Sequence, residues 1–219
     1  MNIIYRKAMA FVILSNQWVV IILSLFSFAI VNVSVASEMP LSSSTKFITI
    51  EYLAPTKNDR DINTTNIDIN YLITNSVSLA DKVNLKIYFG LIATYATGSI
   101  TQLEGSIEEG DLREVNFDNS AFGLGPGLLV SFQLWSSNRF SFYLNGRGNF
   151  IVYNKKFPAG GDYYNFMWRA GPAFEYQVGH SNAIGVGYNW AHISNGQGVD
   201  QKNPSYGAKG IMLKFTGFF

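Results

Sequence analysis

The chain contains no cysteine, which excludes a disulfide framework, a thiolate metal site and a cysteine nucleophile together. Charge is scarce too: Asp, Glu, Lys and Arg make up 14% of the 219 residues and balance to a net +1. A nucleic-acid surface is strongly basic and a solvating tail strongly acidic, so this balance fits neither, and no nucleic-acid partner is expected. Histidine occurs only as His180 and His192, without paired-ligand spacing, so no metal and no cofactor are expected. What is plentiful is aromatic side chains, at 15%, and glycine, at 20 residues.

Long apolar runs are missing except at the start. Arg6 and Lys7 open the chain, no further charge appears before Glu38, and Trp18–Val31 is an apolar core. Ser34-Val35-Ala36 places small residues where a signal peptidase cuts. Residues 1–36 are therefore expected to be a signal peptide, with cleavage after Ala36 or, nearly as well, after Ser37. The alternative is a retained transmembrane helix, because the run is long for a signal peptide. Residues 37–219 are then the mature domain.

That domain alternates with period two. Over 139–153, Phe140, Phe142, Leu144, Gly146, Gly148, Phe150 and Val152 share one face, while Arg139, Ser141, Tyr143, Asn145, Arg147, Asn149 and Tyr153 share the other. Alternate residues of a strand point to opposite sides, so the segment has one apolar and one polar face. Further strands are expected near 46–55, 67–77, 83–97, 121–135, 166–178, 183–194 and 206–219. Their apolar stripes include Ile48, Ile50 and Tyr52, then Phe89 and Leu91, then Phe122 and Leu124, then Phe166, Trp168 and Phe174. Opposite them fall Glu51, Asp68, Lys86, Arg147, Arg169, Glu175 and Lys214. A charge facing lipid at the bilayer midplane costs about 2–4 kcal/mol, so these groups are expected inside, paired with one another. The expected fold is all-β: an eight-stranded antiparallel transmembrane β-barrel of the bacterial outer membrane. At this size side chains fill the interior, and a solute channel is disfavoured.

Short turns are expected at 78–82, 136–138 and 179–182, and longer loops at 55–66, 98–120, 154–165 and 195–205. Their alternation, with an even strand count, puts both termini and the short turns in the periplasm and the long loops outside. The alternating end, closing on Phe219, resembles the signal read by the barrel-assembly machinery. Pro126 and Pro172 lie within strands and lack the ladder N–H, so a bulge or bend is expected at each. The acidic loop with Glu104, Glu108, Glu109, Asp111 and Glu114 reads first as a solvated loop and second as a divalent-cation site beside lipid phosphates.

Chemistry concentrates at the end of the strand 183–194. Its even positions run Ile184, Val186, Tyr188 and Trp190, then His192 and Ser194. The lipid-facing stripe thus ends at the outer rim in an imidazole and a hydroxyl, just above an indole suited to the headgroup level. A His base can take the proton of a neighbouring Ser and make it a nucleophile towards an ester. Asn195 and the N–H of Gly196 follow directly and would serve as an oxyanion hole. The plainer alternative is a pair of rim residues hydrogen-bonded to headgroups or water.

The segment His192-Ile193-Ser194-Asn195, followed by Asn203-Pro204 and the last strand, resembles the outer-membrane lipid A 3-O-deacylases (the PagL type, also called acyloxyacyl hydrolase-like). The resemblance is concentrated in about the last thirty residues, and the eight-stranded layout extends it over the mature chain. It implies hydrolysis of the ester-linked 3-position acyl chain of lipid A in the outer leaflet. His192 would be the base, Ser194 the nucleophile, and Asn195 with Gly196 the oxyanion hole. The family carries an orienting Glu on the last strand, shortly after Asn-Pro; here Gly207 stands at the best-matching position. Asp200 and Asp162 are candidate substitutes. The expected partners are lipid A or lipopolysaccharide, other outer-membrane lipids and the barrel-assembly machinery; the sequence leaves a homodimer open. A non-catalytic barrel of the same descent, serving structure or surface interaction, is the alternative function.

Overall fold

A computed structural model describes residues 46–56, 60–80, 83–104, 113–137, 139–178, 182–195 and 205–217. All belong to one compact unit, Ser44–Phe219. The expected signal peptide, His180, Gly196, Asp200, Asn203-Pro204 and Phe219 lie outside the described residues.

Nine strand segments occur in chain order: β1 (Lys46–Pro55), β2 (Arg60–Ala80), β3 (Val83–Glu104), β4 (Arg113–Asp118), β5 (Ala121–Ser136), β6 (Phe140–Tyr153), β7 (Tyr164–Gln177), β8 (Ala183–Ser194) and β9 (Tyr206–Thr216). Successive segments pair antiparallel, except that β4 and β5 both pair with β3, and β1 pairs with both β2 and β9, so the sheet closes on itself. β4 and β5 form a single stave. Asn84 of β3 faces Gln133 of β5, and Ser99 of β3 faces Asp118 of β4, so the register is unchanged across the break. Asn119 N–H donates to Gly98 O within that break at 2.9 Å. The molecule is therefore a closed eight-stranded antiparallel barrel.

The ring is sheared. Partners taken in turn run Lys46, Tyr71, Phe89, Leu128, Gly148, Trp168, His192, Gly207 and back to β1 at Thr56, ten residues beyond the start. Thr56 N–H donates to Gly207 O at 3.0 Å in that last step. Such a stagger accompanies tilted strands in any closed barrel, and it decides which side chains become neighbours.

The faces divide as the alternation predicts. Leu91, Leu124, Phe174, Val186 and Ile211 are each more than half exposed, within a belt of large apolar groups running round the wall. No water-soluble monomer carries so large an apolar surface; lipid is the solvent that matches it. Inside, Arg169 pairs with Glu51 at 2.6 Å and with Asp68 at 2.7 Å, and Arg147 reaches Asp68 at 2.7 Å. Asn149 and Thr49 bond to this cluster, and Asn66 and Asn189 both donate to Glu51. Two acids and two bases thus neutralise one another, the condition for burying charge, while Arg169 Nε makes no hydrogen bond among the described residues. The cavity beside them is about 20 Å³, room for about one water. Nearer the termini, Lys214 pairs with Glu175 at 2.6 Å and lies 4.3 Å from the centre of the Phe47 ring.

Above the ionic layer the interior is apolar. Leu53, Ile62, Ile92, Ile151, Met167 and Ile193 fill it, joined by Phe157 from the connection between β6 and β7. Phe157 is fully buried against Tyr153 and Tyr206, and its carbonyl accepts from Asn165 Nδ2 at 2.7 Å. That connection therefore folds inward at Phe157.

Three expectations need correction. First, β2 begins at Arg60 and β3 continues to Glu104, so the connections placed at 55–66 and 98–120 are much shorter. The added strand ends are polar on their outward side (Asp61, Asn63, Thr65, Thr97, Ser99), because strands rising beyond the bilayer need no apolar stripe. Second, Pro126 and Pro172 each interrupt one ladder for two residues, between Leu124/Val152 and Gly127/Asn149 and between Ala170/Trp190 and Ala173/Gly187, without the register shift of a bulge. Pro126 faces Leu91 and Pro172 faces Leu144 in unbroken register. Gly125 and Gly171, just before them, let the next strand approach: a Cβ there would lie 1.8 Å from Phe150 O or Tyr188 O. Third, the register shifts occur instead towards the terminal end, in β2–β3 after Leu72 and in β5–β6 at Gln133/Trp135.

Candidate active site

The end of β8 is shaped by the crowding inside it. Its inward residues Ala183, Gly187, Asn189, Ala191 and Ile193 are buried, while Ile184, Val186, Tyr188 and Trp190 point outward. Continuing that parity, His192 and Ser194 stand on the outward face and are half-buried. Asn195 has the opposite parity and is buried. Its side chain therefore does not share the outward side with Ser194.

The neighbours of His192 come from other strands. Trp168 of β7 faces it in the ladder, and the indole stacks on the imidazole with centroids 6.1 Å apart and planes 29° from parallel. On the opposite side, Gly207 of β9 faces His192. Gly207 presents no side chain there, and Thr56 Oγ1 fills part of the space while donating to Gly207 O at 3.0 Å. Ser194 is level with Phe166, which packs on Phe150 and Tyr164. The two polar groups thus sit in an aromatic frame on the outward face.

Asp162 lies in the β6–β7 connection, where its carbonyl accepts from Phe157 N–H at 3.0 Å. Glu175 is committed to Lys214 in the lower interior, well away from this rim. Trp168 was visible in the sequence only as one of many outward aromatics. Its place beside His192 follows from register, which a single strand does not encode.

The fold and its two faces define a class: this is an eight-stranded β-barrel of the bacterial outer membrane, with His192 and Ser194 on its outward face at the end of β8. No protein-family model matches the chain, and no curated protein matches it. Among solved structures it is similar to the outer membrane enzyme PagL, with a TM-score of 0.52 and 16% identity, over 77% of this chain and 97% of that one. Others include the outer membrane protein Ail of Yersinia pestis (TM-score 0.31, 14% identity, 79% of this chain and 100% of that one). The outer membrane protease OmpT of Escherichia coli gives a TM-score of 0.31 and 12% identity, over 72% of this chain and 62% of that one. At these identities the likeness to PagL shows the fold alone, and the other two scores are too low to argue from.

Proposed function

We propose that this barrel is a lipid A 3-O-deacylase-like serine esterase, which removes the ester-linked acyl chain at the 3-position of lipid A in the outer leaflet. The observation that carries the reading is the shared outward face of His192 and Ser194 at the outer end of β8. A base and a hydroxyl two residues apart, in a lipid-facing stripe, are suited to an ester that lies in the membrane.

In the proposed reaction His192 takes the proton of Ser194 as Oγ attacks the ester carbonyl. The backbone N–H groups of Asn195 and Gly196 would donate to the developing oxyanion. Collapse of the intermediate expels the sugar hydroxyl, which receives its proton from His192, and leaves an acyl group on Ser194. Water activated by the same imidazole then releases the fatty acid. Trp168 holds the plane of the ring through both steps. The orienting carboxylate would come from Asp162 or Asp200.

Gly207 favours a second reading, a non-catalytic barrel of the same descent. The ladder position facing His192 carries no acid, and loss of the orienting acid from a serine triad can cost about 10⁴ in rate.

Mass spectrometry of lipid A from outer membranes carrying the wild type, Ser194→Ala or His192→Ala separates the two. Loss of the 3-position chain with the wild type alone is the expected result. Identical lipid A from all three, each barrel being folded, leaves the non-catalytic reading in its place.

A further inference from the structure

The outward face of the barrel wall is almost free of charge. Among the described residues of β1, β2, β5 to β9 and β3 up to Ile100, the charged side chains on that face are Lys46, Asp61 and Lys209. Lys46 and Asp61 stand at the first and second positions of their strands, at the edges of the belt. Lys209 is different. It lies inside β9, level with Trp190 on one side and Ala54 on the other, and the next outward residue towards the middle of the wall is Ile211, 58% exposed. It is exposed, and it has no ion pair among the described residues.

A cation on the lipid face is unfavourable unless its head reaches the polar boundary, and a lysine does this by running its apolar stem along the wall. Here the path is open. The next outward position towards the rim is Gly207, where a Cβ would meet only Thr56 Oγ1 at 2.9 Å and Ala191 O at 3.8 Å. Two residues along a strand span about 7 Å, a rise that the lysine stem can follow. A stem running that way would bring the ammonium to the level of His192, which faces Gly207 in the ladder, with Ser194 one outward position higher on the neighbouring strand. The missing side chain at Gly207 thus leaves space above the lysine, next to the proposed nucleophile.

We infer that Lys209 is the anion-binding residue of this site, and that its ammonium holds a phosphate of the glycolipid whose ester is presented to Ser194. The choice of glycolipid rests on the deacylase reading above; phosphate recognition by Lys209 does not require turnover. A lysine that served only as a membrane anchor would take any phosphate headgroup, phospholipid included. Recognition of the substrate requires the phosphate and the sugar together.

The test uses the full chain with Ser194→Ala, purified in neutral detergent so that no lipid is consumed. Native mass spectrometry then follows binding of bisphosphorylated lipid A, of the same lipid A with its phosphates removed, and of phosphatidylglycerol. Phosphorylated lipid A is expected to bind about tenfold more tightly than the dephosphorylated form, as a charge-assisted contact provides. Lys209→Gln and Lys209→Met should abolish that preference, Lys209→Arg should keep it, and Lys46→Gln should leave it unchanged. Heat-modified gel mobility establishes that each barrel is folded. An intact preference in a folded Lys209→Gln or Lys209→Met protein overturns the inference, as does equal competition by phosphatidylglycerol. If the preference is present and depends on Lys209 but lipid A remains uncleaved in membranes, the esterase reading fails and the phosphate site stands.

Discussion

His192 on β8 and Gly207 on β9 are partners in the antiparallel ladder, so the imidazole borders a position with no side chain, on the side opposite its stacked Trp168. Directly opposed residues on adjacent antiparallel strands have their Cβ atoms about 4.5–5.5 Å apart. A carboxylate on a short stem at 207 would therefore reach the ring.

Gly207→Glu is accordingly expected to raise the rate of the chemical step at saturating lipid A, by about tenfold or more given what an orienting acid contributes to a triad. It should also weaken lipid A binding, because the carboxylate enters the space above Lys209 where the phosphate is held. A Cβ at this position displaces only the rotatable hydroxyl of Thr56, and a charge near the membrane interface costs about 0–1 kcal/mol. Single-turnover release of fatty acid from detergent-dispersed lipid A measures it. A folded Gly207→Glu barrel with no gain would mean that the carboxylate is not what the site lacks.

Trp168→Leu should slow the same reaction while leaving lipid A binding unchanged, since the indole touches the imidazole and not the reacting ester. An aromatic contact is worth about 0.5–1.5 kcal/mol, which corresponds to a threefold to tenfold fall in kcat. Trp168→Phe, which retains a ring, should recover most of it. A rise in KM at constant kcat would assign the indole to lipid binding instead.

Arg169→Met should be among the most destabilising single changes in the barrel. It strands Glu51 and leaves Asp68 with Arg147 alone, both inside a sealed wall. Breaking a buried pair in this way costs about 3–5 kcal/mol. Adding Glu51→Gln removes the orphaned charge and should restore part of the loss. Urea midpoints followed by tryptophan fluorescence of the refolded barrel report both.

Gly171→Ala and Gly146→Ala make a contrasting pair, both being glycines within strands. A Cβ at 171 would stand 1.8 Å from Tyr188 O and 2.8 Å from Asn189 Oδ1, whereas one at 146 meets nothing within 4 Å. The first should lose at least about 1–3 kcal/mol through overpacking, and the second should change stability by less than about 0.5 kcal/mol. Equal urea midpoints for the two would contradict the close approach of β7 and β8.

Much of this molecule is written in single strands. The alternation of β6 puts Phe150 and Val152 outside and Arg147 and Asn149 inside, and the structure agrees at these four positions. The same period sends Glu51, Asp68 and Arg169 inward and His192 and Ser194 outward. These assignments need only the geometry of one extended chain and the high cost of turning a charge towards lipid. The pattern faded in 60–66 and 98–104, where strands rise out of the bilayer and neither face has to be apolar. There the sequence of a single strand reads as loop.

Period two alone thus determined which face each residue occupies, and with it the barrel, the ionic interior and the lipid-facing rim. Which residues then meet across the wall was decided only by closure of the ring. The ten-residue stagger set Trp168 and Gly207 on either side of His192, brought Arg169 to both Glu51 and Asp68, and placed Lys209 below a gap. A strand's alternation is unchanged by sliding it two residues along its neighbour. Only the closed hydrogen-bonded circuit, packed over one filled interior, selects a single register.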